Sequence, residues 1–370
     1  MLKNKNKGIT LVALVITIII LLILAGISIS ALTNTGIFGK AKDAKQKSAD
    51  AELDQNTKLD SYEEEISNYL PQDVKQAIKK GKPLSTDKNT EIVDEKGNKI
   101  VIPAGFKVTG EATTVDKGIV IEDATSGATV GSQFVWVPVG KITKADGTET
   151  EIKLNRYTFA GDGTPTEKNE EVIERFYQEL ATSNEGNTVA KNITNFKNSV
   201  TANGGYYIGR YEARKNTTSG KLTEVNSDSV WNRITQPDAA TQARNMYDEQ
   251  QPFTSDLMNS YAWDTAITFI QKCTDKTNYA NQTSLNRSLS QTGTTNDNPC
   301  NIFDMASNVF EWTTETSSVL GCPCVGRGGS CDRSDDYTSD RRDSHDTSYN
   351  DTSVYSGSTS YVGFRPLLYL

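Results

Sequence analysis

The chain opens on a short lysine- and asparagine-rich segment, MLKNKNK, and then turns apolar. Residues 8–39 carry no charge, and 9–32 (ITLVALVITIIILLILAGISISAL) are almost wholly aliphatic. As a helix rising about 1.5 Å per residue, that stretch is roughly 35 Å long, enough to cross a bilayer core of about 30 Å. Lys3, Lys5 and Lys7 hold the amino end on the cytoplasmic side, so the sequence beyond residue 33 is expected outside. Residues 34–70 place small and apolar residues (Ala44, Ala51, Leu59, Tyr62, Ile66) at loosely helical spacing among charges, which predicts an amphipathic helical stalk. Residues 71–99, rich in Lys, Asp and Thr, read as a linker. Short apolar runs then predict strands: KIVIP at 99–103, GFKVTG at 105–110, GIVIED at 118–123, QFVWVPVG at 133–140 and YYIGRYEAR at 206–214. A polar insertion covers about 141–199, with one helical face at 171–181. Residues 263–273 predict a helix, Asp264 near its amino end suiting the dipole, and the chain closes on VGFRPLLYL. Strands mixed with a few helices predict an α+β domain over 100–370.

The length of 370 residues allows a sizeable core outside any membrane. A net charge of −8 lacks the basic stripe that a nucleic-acid surface needs, so no nucleic-acid partner is expected. All five cysteines lie in the last hundred residues; the odd count leaves at least one unpaired, and the pairing is not readable from spacing.

The plain reading of the apolar segment is a signal anchor, or a signal peptide cut near residues 28–31. The junction Lys7-Gly8-Ile9-Thr10-Leu11 also resembles the leader of type IV pilins and pseudopilins, with the amphipathic extension following it. The resemblance implies cleavage after Gly8 (leader 1–8, membrane helix 9–33), methylation of the new terminus at Ile9, and packing with pilin-like subunits. Where that family usually carries glutamate at the fifth mature position, this chain has Ala13. Its absence removes the carboxylate that pairs with a neighbour's terminal amine, which points to a tip or minor subunit. A pseudopilin serving DNA uptake is a further alternative, and the negative charge speaks against it.

From residue 100 onward, six segments in order resemble the formylglycine-generating enzyme, or sulfatase-modifying, family: QFVWVPVG and YYIGRYEAR; SYAWDTAITFIQ at 260–271; NIFDMASNVFEWT at 301–313; GRGGS at 326–330; and VGFR at 362–365. This resemblance implies a C-type lectin-like fold. It makes Trp136, Trp263 and Trp312 core anchors, uses Gly328 and Gly329 for backbone geometry, and has Arg365 pair with a buried acid. In the family the stretch holding Asn308 and Glu311 can ligate a structural calcium, and a structural ion pair of Glu311 is the alternative. The family's copper-holding cysteines stand third and eighth after the GGS serine; here those positions are Arg333 and Thr338, neither a soft-metal ligand. Cys324 and Cys331 are out of register. A single histidine, His345, cannot supply the cluster that iron-dependent relatives use. Catalysis is therefore not expected, and an exported copper oxidase is the alternative.

Between GRGGS and VGFR lie 31 residues, 331–361, containing eight Ser, seven Asp, four Tyr, four Thr and three Arg, with Val354 their one aliphatic side chain. Such a composition builds no core of its own, but Tyr, Ser, Asp and Arg are the residues of adaptable binding surfaces. The tract also resembles the variable regions of diversity-generating retroelement proteins, which share the lectin-like fold and change adenine-containing codons near the carboxyl terminus. That resemblance implies a ligand face at Asp332, Arg333, Asp335, Asp336, Tyr337, Arg341, Arg342, His345, Tyr349 and Tyr355. The expected partner is an extracellular protein, glycan or phage component.

Overall fold

A computed structural model describes residues 11–34, 37–67, 71–168, 190–216, 222–223, 229–247, 249–284, 288–316, 324–344 and 361–370. The chain divides into two compact units, Met1–Leu70 and Pro71–Leu370.

The first unit is helical. α1 (Leu11–Asn34) contains no charged residue, and its window Val12–Ile29 has a mean hydropathy of 3.2 with none of it buried. By length and composition it is able to cross a membrane. α2 (Ile37–Ser67) reverses the character: its described side chains are exposed, and Lys58 pairs with Asp54 one turn earlier at 2.8 Å. An exposed pair of this kind contributes only about 0.3–0.5 kcal/mol.

The second unit begins earlier than the sequence suggests. Residues 71–99, expected as a linker, are instead folded into it. β1 (Gln72–Asp73) leads directly into α3 (Val74–Lys80), whose N-cap Asp73 accepts from the Gln76 N–H at 3.2 Å and whose end is Gly81 at φ 59°. β2 (Thr90–Val93) pairs in parallel with β1 and antiparallel with β3 (Lys99–Ile102). Val74, Ala77 and Ile92 are fully buried. Three widely spaced apolar residues among lysines make no visible period, yet they suffice to dock this short layer on the core.

The main sheet collects β4 (Phe106–Thr109), β5 (Val120–Asp123), β6 (Gln133–Pro138), β11 (Gly205–Gly209), β14 (Thr254–Leu257) and β19 (Pro366–Tyr369) in the order β14-β19-β11-β6-β5-β4. Every neighbouring pair is antiparallel. The last strand of the chain thus sits beside β11 inside the sheet, which ties the carboxyl terminus into the core. The segment 141–199 is more than a polar excursion. Hairpins β7 (Gly140–Thr143)/β8 (Glu149–Ile152) and β9 (Arg156–Phe159)/β10 (Pro165–Lys168) bury Ile142, Ile152, Arg156 and Tyr157. α4 (Ile193–Asn203) sets Phe196 edge-on against Tyr206 and Tyr369. The helix expected at 171–181 lies outside the described residues. A further hairpin, β12 (Arg214–Lys215)/β13 (Leu222–Thr223), precedes α5 (Gln236–Arg244).

α6 (Ser260–Cys273) is capped by Asn259, which accepts from the Ala262 N–H at 2.9 Å, and is buried on nearly every face. The second sheet holds β15 (Phe310–Thr316), β16 (Cys324–Arg327), β17 (Arg341–Ser344) and β18 (Val362–Phe364) in the order β17-β16-β15-β18, with β15 and β18 parallel. The second unit is therefore a mixture of helices and several sheets.

Candidate functional site

The polar tract leaves β16, turns through 328–340, and returns as β17, so that Arg341 stands opposite Arg327 and Arg342 opposite Gly326. Two glycines let the turn press onto the core. Gly328 has φ 84°, and a Cβ on it would lie 2.5 Å from the Met305 carbonyl; one on Gly329 would lie 2.4 Å from that of Ala306. No other residue fits that approach. Hydrogen bonds then fix the descending limb. Thr338 donates its N–H to the Gln282 carbonyl at 3.1 Å, and Ser339 donates to that of Ala280 at 2.9 Å. The Trp263 indole donates to the Thr338 carbonyl at 3.0 Å.

Beneath this limb lies a buried cluster of charges. Glu315 accepts from Arg156 at 2.9 Å, Arg327 at 2.9 Å and Arg341 at 2.8 Å. Asp264 accepts from Arg327 and Arg341 through its two oxygens, and from the Tyr157 N–H at 2.8 Å. Three guanidiniums thus share two carboxylates, and Arg156 Nε and Nη1 have no partner among the described residues. Burial works against the Glu315 charge, but Arg327, Arg341 and Arg156 outweigh it and hold its carboxyl below the usual range. Burial likewise opposes the Arg341 cation, and Asp264 and Glu315 raise its pKa in spite of it.

This geometry sorts the residues expected to contact a ligand. Arg341 is a correction: its Nε and Nη2 are spent inward on Glu315 and Asp264, its side chain is 21% exposed, and it anchors the tract instead of presenting it. Asp264, expected near the amino end of a helix, lies there in α6 and is in addition the acceptor of two arginines. Asp332 and Asp335 are exposed and Tyr337 is 42% exposed. Arg333 reaches toward the half-buried Asp336 at 3.9 Å. Asp332 accepts a short hydrogen bond from the Ser330 hydroxyl, fixing the start of the loop. These five side chains share the loop 332–337. Arg342 lies on β17 in the register given above, and His345, Tyr349 and Tyr355 lie outside the described residues, as do Gly8 and Ile9. The buried pairing of Arg156, Asp264, Glu315 and Arg327 went unnoticed in the sequence because it joins positions far apart.

The residues considered for calcium are otherwise engaged. Glu311 accepts from Arg365 through both oxygens, at 2.6 Å to Nη2 and 3.0 Å to Nε. Asn308 accepts from the Ser290 N–H at 2.8 Å and donates a short bond to Glu212. A calcium ion there would have to displace Arg365, so the arrangement does not fit one. Burial, then Asp304 and Glu311, push the Glu212 carboxyl well above its ordinary value. Burial also raises Glu311, Asp297 and Asp304, leaving several reluctant acids around one arginine. Among the described residues no group of three or more His, Cys, Asp or Glu stands ready for a metal. Thr338, at one family copper position, is fully buried, and Arg333, at the other, takes part in the ion pair above. Cys324 and Cys331 are buried. No protein-family model, curated protein or solved structure matches the chain.

Proposed function

We propose that this chain is a non-catalytic, membrane-anchored binding protein whose ligand face is the polar tract following the GRGGS turn. In this reading the second unit is a C-type lectin-like domain related to the formylglycine-generating enzyme. α1 holds the chain in the membrane as a pilin-like minor or tip subunit, and the partner is an extracellular protein, glycan or phage component. The observation that carries the proposal is the division of labour within 331–344. Thr338 and Arg341 are committed to a buried clamp, while Asp332, Arg333, Asp335 and Tyr337 stand on it toward solvent. A loop fixed from below is free to vary above, because changes in its exposed side chains do not disturb the core.

The test is binding of the detergent-solubilised full chain to an immobilised panel of glycans and surface proteins, beside a Asp335→Ala/Tyr337→Ala double variant. Loss of binding with an unchanged melting temperature supports the face; equal binding by both proteins rejects it. The alternative copper oxidase finds no ligands at positions 333 and 338, and stoichiometric copper retained by the purified chain would revive it.

A further inference from the structure

A second chemical feature lies apart from the tract. The C-terminal end of α6, the turn Val115–Lys117 and the turn Pro299–Asn301 meet at a cleft of about 480 Å³ lined by Asp116, Lys117, Lys144, Asp146, Cys273 and Cys300. Cys273 and Cys300 are 7% and 8% exposed, both free among the described residues, and both open onto this one cleft. Cys300 is held in an unusual way. Its backbone is left-handed (φ 50°, ψ 35°), a conformation uncommon for a residue that is neither glycine nor asparagine, and Asn301 follows it at φ 63°. The strain is maintained from outside. Asn301 donates its amide to the carbonyls of Lys117 at 3.0 Å and Gly118 at 2.9 Å, and the Cys300 thiol points at the Asp116 carbonyl at 3.5 Å. The Cys300 carbonyl sits so close to Gly118 that a Cβ there would lie 1.8 Å away. Strain maintained at a side chain with chemistry of its own invites a functional account.

We propose that Cys273 and Cys300 are a dithiol modification site that closes to a disulfide, pinning the end of α6 to the 299–301 turn. The reaction is thiol–disulfide exchange with a small disulfide oxidant. One thiolate attacks a sulfur of the oxidant and releases one thiol; the second thiolate then attacks the mixed disulfide and releases the other. The two cysteines lose two electrons and two protons, and the oxidant becomes two thiols. Burial, with Asp116 adding to it, pushes the Cys273 thiol up to about 12, and burial and the neighbouring Cys273 raise Cys300. Both are therefore protonated at neutral pH, and exchange in the folded chain is slow and accelerates with rising pH. This is the behaviour of a bond made once, not of a rapid cycle. The inference does not depend on the proposed ligand face.

The full chain in detergent, incubated with oxidised glutathione at pH 8.5 and then alkylated and digested, gives the test. The expected result is a peptide pair linking Cys273 to Cys300, a mass loss of about 2 Da for the two hydrogens, and a higher melting temperature than the reduced protein. The link is absent from Cys273→Ser and unaffected in Cys331→Ser. In the untreated wild-type chain, phenylarsine oxide, which bridges two close thiols, should protect both cysteines from alkylation together. Separate glutathione adducts on each, links only among other cysteines, or no arsenical protection would each overturn the proposal.

Discussion

Glu315 and Arg341 hold the same cluster yet differ in what their loss leaves behind. Removing Arg341 leaves two guanidiniums with two carboxylates, a balanced set; removing Glu315 leaves three guanidiniums with Asp264 alone. Glu315→Ala should therefore cost about 3–5 kcal/mol, as for a buried charge stripped of its partner. Arg341→Ala should cost about 1–3 kcal/mol, the range for lost charge-assisted hydrogen bonds, and Tyr337→Ala at most about 0.5 kcal/mol, as for a surface change. Urea melts of the three variants check the order. The same residues fix the pH response. Because Glu315 is depressed on folding, its stabilisation is present above the unfolded carboxyl value and is lost as pH falls through its folded one. Glu212 is raised, so its contribution is present at low pH and is lost as pH rises through its folded value. Calorimetry across pH 3–9 should show maximum stability between these two limbs, and a profile still rising at the alkaline end would contradict the Glu212 assignment.

Elements were legible in the sequence where apolar residues run together and obscure where they do not. KIVI, FKVT, VIED and QFVWVP became β3 to β6 almost as expected, because a buried strand needs little beyond a short apolar run bounded by turns. The resemblance had Arg365 meet a buried acid, and Glu311 is that acid. β1, β2 and α3 were missed: α3 buries two residues, β2 one and β1 none, among lysines and other polar side chains. The charge cluster was missed for a different reason. Arg156, Asp264, Glu315 and Arg327 lie on four separate elements, and no local pattern announces which charges a fold will turn inward. The α3 layer carries its own prediction. Asp73→Ala removes the N-cap and should cost about 0.5–2 kcal/mol, while a chain lacking residues 71–98 exposes the core beneath Val74, Ala77 and Ile92 and should lose its cooperative melt.

At the scale of the whole molecule, α1 is uniformly apolar, and that uniformity decides its partition. Leu21→Arg places a charge near the middle of the window Val12–Ile29, at about 2.5–3.5 kcal/mol against insertion. If α1 anchors the chain, alkaline carbonate should leave the wild type in the membrane pellet and release a share of the variant. The second sheet has a consequence for how its outer tract can evolve. β17 and β18 occupy opposite edges of four strands, a separation of three strand spacings, or about 14 Å. Seventeen residues, 345–361, join them, and a chain of that length reaches about 55 Å when taut. That reach exceeds the distance between the two edges several-fold, so shortening the connection by four residues alters the closure entropy by only about 0.3 kcal/mol. Length as well as identity is then open to change across this crossing, and trimmed or lengthened versions should melt with the parent.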